Sequence, residues 1–134
     1  MDCIFCKIVN KEIPCYKVYE DEEFLSFLDI QPINRGHTLL IPKKHVPHFL
    51  ETDDSILSRM LPLAKRISRA IEKGIECQGI NILLNVHPAA GQVVFHTHLH
   101  LIPRFDGDGF RHWKGKAYNE GEADKVLESI QKWI

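Results

Sequence analysis

Val94-Phe95-His96-Thr97-His98-Leu99-His100-Leu101-Ile102-Pro103-Arg104 places three histidines at alternate positions and ends in an apolar pair before Pro103. The alternation predicts one strand over the stretch, because successive side chains in a strand point to opposite faces. His96, His98 and His100 then share one face, while Thr97, Leu99 and Leu101 share the other, which reads as core. Neighbouring histidines would stand roughly 6.6 Å apart and the outer two roughly 13 Å, so one metal ion or phosphate reaches only neighbours. A single buried histidine is most often a hydrogen-bonded core residue. Three in register are different, because each neutral imidazole needs both a donor and an acceptor role satisfied, a costly way to fill a sheet face without chemistry.

Working outward, Gly79 to Asn85 reads as the preceding strand, and Val86 to Gly91 as a Pro- and Gly-bearing loop beside the histidines. Gly91 allows a close backbone approach, and Gln92 with the neighbouring amides can donate to phosphate oxygens. Ile56, Met60, Leu63, Ile67 and Ile71 follow helical spacing, predicting a long helix over Thr52 to Gly74 with Thr52 or Asp53 as cap, Gly74 at its end and a bend at Pro62. Its basic stripe, Lys65, Arg66, Arg69 and Lys73, reads as a solvated face. His37 to Pro42 is a further strand, bracketed by His37 and His45. Tyr16 to Ile30 reads as a hairpin around an acidic turn at Glu20 to Glu23; Asp29 at its end either caps a turn or accepts from a ligand hydroxyl. Past Arg104 lies a loop, Phe105 to Phe110, then Trp113 without assignment, then an amphipathic helix marked by Ala123, Val126, Leu127, Ile130 and Trp133.

Cys3 and Cys6 form a Cys-x-x-Cys pair whose thiolates can approach one tetrahedral zinc; alone the pair is a weak signal, and two incidental cysteines stay open as the lesser reading. A redox role wants such a pair after a strand, and none precedes it here. The 134 residues suit one domain, 1–134, with no linker or repeat. Lys and Arg total 17 against 18 Asp and Glu, a net charge of −1 without a basic block, so a nucleic-acid partner is not expected. The amino terminus shows neither a secretory signal nor a membrane span, so we expect a cytoplasmic protein, no membrane partner and four reduced cysteines.

In order along the chain, Cys3-x-x-Cys6, Phe27-Leu-Asp-Ile30, Gly36-His-Thr-Leu-Leu-Ile-Pro-Lys-Lys-His45, Asn85 followed by Ala90-Gly-Gln92, and His96 to Arg104 resemble blocks of the histidine-triad superfamily, in particular its Hint-like bacterial and archaeal branch. The resemblance covers Cys3 to Arg104. It implies an α+β fold, a five-stranded antiparallel sheet with one long helix and a carboxy-terminal helix, pairing into a homodimer. It implies that His98 attacks the α-phosphorus of a nucleotide and that His100 donates to a nonbridging oxygen or the leaving group. It places Gln92 and the Val93 backbone at the phosphate, Asp29 at the ribose hydroxyls and Asn85 at phosphate or ribose. Ile4, Phe5, Phe27 and Ile30 would flank the base or simply pack the core. Zinc-bearing branch members match here at Cys3, Cys6, His45 and His96, a closed set that makes the metal structural. One departure is His87, where the resemblance implies a glycine.

The resulting expectation is a nucleotide hydrolase or transferase that forms a covalent nucleotidyl-histidine. Its partner would be a purine nucleotide, presented as a nucleoside phosphoramidate or adenylate, or alternatively as a dinucleoside polyphosphate. No organic cofactor is expected. Two other readings stay open from the residues: a metal-water hydrolase with His96 and His98 on one open-site ion, and a nucleotide-binding module without turnover.

Overall fold

The acidic turn of the hairpin is built by Asp21, whose carboxylate accepts from the Glu23 and Phe24 amides at 2.8 and 2.7 Å and from the Tyr19 hydroxyl at 2.8 Å. It joins β1 (Lys17–Glu20) to β2 (Phe24–Leu28). The computed structural model describes residues 2–134. Further strands are β3 (Thr38–Pro42), β4 (Gly79–Leu83) and β5 (Leu99–Arg104), and the helices are α1 (Ile4–Val9), α2 (Asp54–Ile75) and α3 (Glu122–Gln131). All neighbours in the sheet, ordered β1-β2-β3-β5-β4, are antiparallel. The α+β, five-stranded expectation is met.

Alternation divides the sheet into two faces. Phe24, Leu40, Leu99 and Leu101 meet Ile56, Met60, Leu63, Ala64, Ile67 and Ile71 of α2. Each large apolar side chain so buried contributes roughly 1.5–3 kcal/mol, which holds the helix more firmly than its own propensity does. On the other face Leu25, Phe27, Leu39 and Ile41 meet Cys3 and Phe5 at α1. That six-residue helix was not predicted, since it is too short for periodicity to show. His100, between Leu99 and Leu101, belongs to the α1 face.

Two elements depart from their expected bounds. Regular pairing starts only at Leu99, so Val94 to His98 is irregular. There the Thr97 amide and hydroxyl both donate to the Val46 carbonyl, at 2.7 and 3.2 Å, a contact beyond the end of β3 that replaces the ladder. Helix α2 passes through Pro62; Pro62 and Ser58 are both exposed, so water can serve the carbonyl that lacks a donor. Gly74 lies inside α2, and the left-handed cap falls to Glu76 at φ 58°. Asp53 occupies the N-cap position without a capping bond and pairs with Lys44 at 3.0 Å. Gly36 does need to be glycine: φ is +89°, and a Cβ would sit 2.8 Å from Ile75 Cγ1. No described helix is long and apolar enough to cross a membrane.

Candidate active site and metal centre

Backbone partners fix which nitrogen of each triad histidine carries its proton. His96 is fully buried, and its Nε2 lies 2.7 Å from the Pro42 carbonyl. A carbonyl only accepts, so Nε2 holds the hydrogen and the Nδ1 lone pair points the other way. It faces Cys3 Sγ at 3.5 Å, Cys6 Sγ at 3.7 Å and His45 Nδ1 at 3.3 Å. These four donor atoms lie within 4.8 Å of one another. Two sulfurs and two imidazole nitrogens, with a backbone carbonyl orienting one ring, fit the donor chemistry of tetrahedral zinc and leave no place for water. Burial pushes the Cys6 thiol up, so the thiolate form calls for a cation beside it.

The next histidine is set by the same logic. His98 Nδ1 lies 2.6 Å from the carbonyl of His96, so its hydrogen is on Nδ1 and the Nε2 lone pair is free. Phe5, delivered by α1, presents its ring edge-on to His98 and His96 at 5.2 and 5.9 Å between centroids. Burial holds His98 below the ordinary histidine range, and the ring is therefore neutral at pH 7. His100 follows, its centroid 4.9 Å from that of His98. The rings thus approach more closely than the 6.6 Å repeat expected of one flat strand.

His100 depends on a residue whose role the sequence left open. The Ile33 amide donates to His37 Nδ1 at 3.1 Å, which leaves the His37 proton on Nε2. That proton goes to His100 Nδ1 at 3.0 Å, and so His100 carries its own proton on Nε2. Burial first, then the neighbouring His98 and His37, push His100 down to about 4. Asp29 Oδ2 is 3.7 Å from His37 Nε2, while its Oδ1 accepts from the Gln31 amide at 2.8 Å. One oxygen therefore closes the turn and the other faces the histidines. Asp29, His37 and His100 are close enough to hold a metal, but the Ile33 hydrogen bond keeps the His37 proton on Nε2, so His37 and His100 form a chain of donors beside an accepting carboxylate rather than a ligand set.

The loop beside the triad is braced from within. Gln92 is buried; its Nε2 donates to the Pro47 and Val94 carbonyls at 2.7 and 3.1 Å, and its Oε1 accepts from the His87 amide at 2.9 Å. Its side chain thus shapes the loop, and both its hydrogens are spent, contrary to a direct phosphate contact. Val93 next to it is exposed. His87 adopts φ 70°, the left-handed region that suits the glycine implied by the resemblance, and meets the His48 ring edge-on with centroids 4.7 Å apart. Gly91, at φ +97°, lies against Asn85: a Cβ there would be 3.6 Å from Asn85 Nδ2. Phe5 and Phe27 are core residues, whereas Ile4 and Ile30 are exposed. Trp113 lines a groove with Ile33, Leu83 and Ile102 of its own chain.

The model of the HIT domain matches residues 10–107. The chain belongs to the HIT family. An uncharacterised HIT-like protein of Borreliella burgdorferi is 52% identical over 129 residues, spanning 95% of this chain and 92% of that protein. The adenylylsulfatase HINT3 of Arabidopsis thaliana is 48% identical over 107 residues, 80% of this chain and 54% of that protein. Among solved structures, a HIT family member from Bacillus subtilis superposes with a TM-score of 0.91 at 43% identity, covering 100% of this chain and 98% of that one. A histidine triad nucleotide-binding protein from Candida albicans gives 0.85 at 38%, covering 98% and 96%. A zinc-bound histidine triad protein from Mycobacterium smegmatis gives 0.78 at 39%, covering 98% and 94%.

Proposed function

We propose that this HIT protein hydrolyses a nucleoside phosphoramidate or adenylate at the α-phosphate through a nucleotidyl-His98 intermediate. The observation that carries this reading is the hydrogen bond from His98 Nδ1 to the His96 carbonyl, which leaves a neutral imidazole with its Nε2 lone pair free. In the first step Nε2 forms a bond to the α-phosphorus while the bond to the leaving group breaks; His100 Nε2–H donates a hydrogen bond to the departing atom, which takes its proton from water. In the second, water attacks phosphorus and releases one proton to solvent, the P–N bond to His98 breaks and the nucleotide monophosphate leaves. Two displacements with a good leaving group replace one difficult one. Asp29 accepts from the ribose hydroxyls through Oδ2, and Asn85 with the Val93 backbone holds the phosphate. The adenylylsulfatase and nucleotide-binding relatives support a purine nucleotide, with a dinucleoside polyphosphate as the variant that differs only in leaving group.

Cys3, Cys6, His45 and His96 would hold a structural zinc, consistent with the zinc-bound relative. When bound, the ion would tie α1 to the strand entrance and so fix the segment before His98. The protein would work as a homodimer in the cytoplasm, where its four free cysteines stay reduced. The open-site metal reading has no observation in its favour, since the free lone pairs of His96 and His98 serve different places.

Intact-protein mass spectrometry during turnover of adenosine phosphoramidate tests this, with wild type beside His98→Ala. An adenylyl adduct in the wild type and none in the variant is expected. AMP release without an adduct that stops on chelation would favour metal-activated water, and no AMP at all would leave a binding module.

A further inference from the structure

We infer that Asn34 and Asp108 are positioning residues for this reaction, acting through His37 on the Nε2–H of His100; the inference rests on the catalytic reading above. The path starts at the end of β5. The Arg104 carbonyl accepts from the Gln78 amide on the β4 side, so the Pro103 carbonyl points the other way, towards β3. There the ladder has already ended at the Thr38–Leu101 pair. The Asn34 side chain stands in for the missing rung, its Nδ2 donating to the Pro103 carbonyl at 2.9 Å. The second Nδ2 hydrogen goes to Asp108 Oδ2 at 3.0 Å. The Asn34 carbonyl accepts from the His37 amide at 3.0 Å, and the His37 carbonyl accepts from the Asp29 amide at 2.9 Å. With both ends of the turn held, the Ile33 amide meets His37 Nδ1 and leaves the His37 proton on Nε2, facing His100.

Packing does little to set the course of this turn, because Gln31, Pro32, Ile33 and Arg35 are exposed. Asp108 supplies the fixed point instead. Its side chain is only 7% exposed and accepts from five N–H groups: Arg104 Nε and Nη2 at 2.7 and 3.0 Å, the Phe105 and Phe110 amides at 3.2 and 3.0 Å, and Asn34. Donors face both oxygens, so a carboxamide would set its NH2 against an N–H in either orientation. The Arg104 guanidinium holds Asp108 well below the usual carboxylate range, which keeps it charged at neutral pH. Arg104 is itself anchored to β4, donating to Asn81 Oδ1 at 2.8 Å. The next residue of the turn faces elsewhere: Arg35 donates to the Ile75 carbonyl at 3.1 Å and lies 5.4 Å over the Phe105 ring. Arg35 therefore secures the turn without lying on the path to His37, and it serves as the control.

The test joins steady-state AMP release from adenosine phosphoramidate to nitrogen-15 NMR of the histidine rings, where a protonated and a bare nitrogen differ in shift. In wild type, His37 and His100 should both carry hydrogen on Nε2. Asn34→Ala should let His37 populate its Nδ1–H form and lower kcat by roughly 2- to 13-fold, the range open to one hydrogen bond, with KM within twofold. Asp108→Asn should act in the same direction; if it does not fold, Asn34→Ala decides. Arg35→Ala should leave both the ring spectrum and kcat unchanged. In the His37→Phe background, Asn34→Ala should slow the reaction no further, because the two act in series. A wild-type His37 protonated on Nδ1, unaltered ring shifts in Asn34→Ala, an equal loss in Arg35→Ala, or an Asn34→Ala effect undiminished in the His37→Phe background would overturn the inference. A wild type that releases no AMP would overturn the catalytic reading instead, with the ring shifts still deciding whether Asn34 sets the His37 proton.

Discussion

Replacing His37 with phenylalanine removes the one N–H that holds His100 in its Nε2-protonated form. The ring is buried, so phenylalanine fills the volume and leaves no cavity, while His100 Nδ1 loses a donor at 3.0 Å. A neutral hydrogen bond contributes about 0.5–1.5 kcal/mol net, and His100 is only half-buried, so water can take the vacated position and keep the cost within that range. If the bond keeps His100 Nε2–H aimed at the departing atom, the loss falls on kcat, by roughly 2- to 13-fold. His37→Gln, whose amide can also donate, should recover part of it. The assay is steady-state AMP release from adenosine phosphoramidate, with thermal unfolding followed alongside to separate a positioning effect from loss of fold. Phenylalanine within twofold of wild type, or glutamine as slow as phenylalanine, would refute the role given to His37.

Four further outcomes follow from the same geometry. Cys6→Ala opens the four-donor set, so bound zinc should fall from one per chain to a small fraction, with Tm lowered by at least ~10 °C if several kcal/mol of metal binding is lost; elemental analysis and calorimetry check both, and wild-type zinc content in the variant would count against the ligand set. Because burial lowers His98, kcat/KM should stay flat as pH falls from 7.5 to the ordinary histidine value near 6.5 and decline only below it; an acid limb centred at or above 6.5 would contradict the buried neutral nucleophile. In that same acid range the unfolded chain binds more protons than the native one, whose His98 is lowered and whose His100 titrates at about 4. Stability should therefore drop from pH 6.5 towards 4, read as a falling urea midpoint. Gly36→Ala puts a methyl 2.8 Å from Ile75 Cγ1 and 3.2 Å from Pro103 Cγ in a left-handed backbone, and should cost about 2–4 kcal/mol by urea unfolding.

His96, His98 and His100, the Cys-x-x-Cys pair and the helical stripe from Ile56 to Ile71 announce themselves because they are local patterns: residue type and spacing follow directly from the period of a strand, a turn or a helix. The same is true of α3, whose stripe is legible even though among the described residues only Val126 of it is half-buried. The α+β class and the five strands could be expected on those grounds and on the resemblance to the histidine-triad superfamily. What spacing does not carry is which groups meet across long separations. His37 reaches His100 and Pro42 reaches His96 only once β3 and β5 lie side by side, and these contacts fix the protons of His100 and His96. Likewise Gln92 looked like a phosphate donor by position, but the folded loop spends its amide on Pro47 and Val94. Sequence alone determined the chemical inventory and the elements that carry it, because those depend on neighbours along the chain; the tertiary structure decided tautomers, partners and access, because hydrogen bonds are made by atoms that the chain brings together only when it folds.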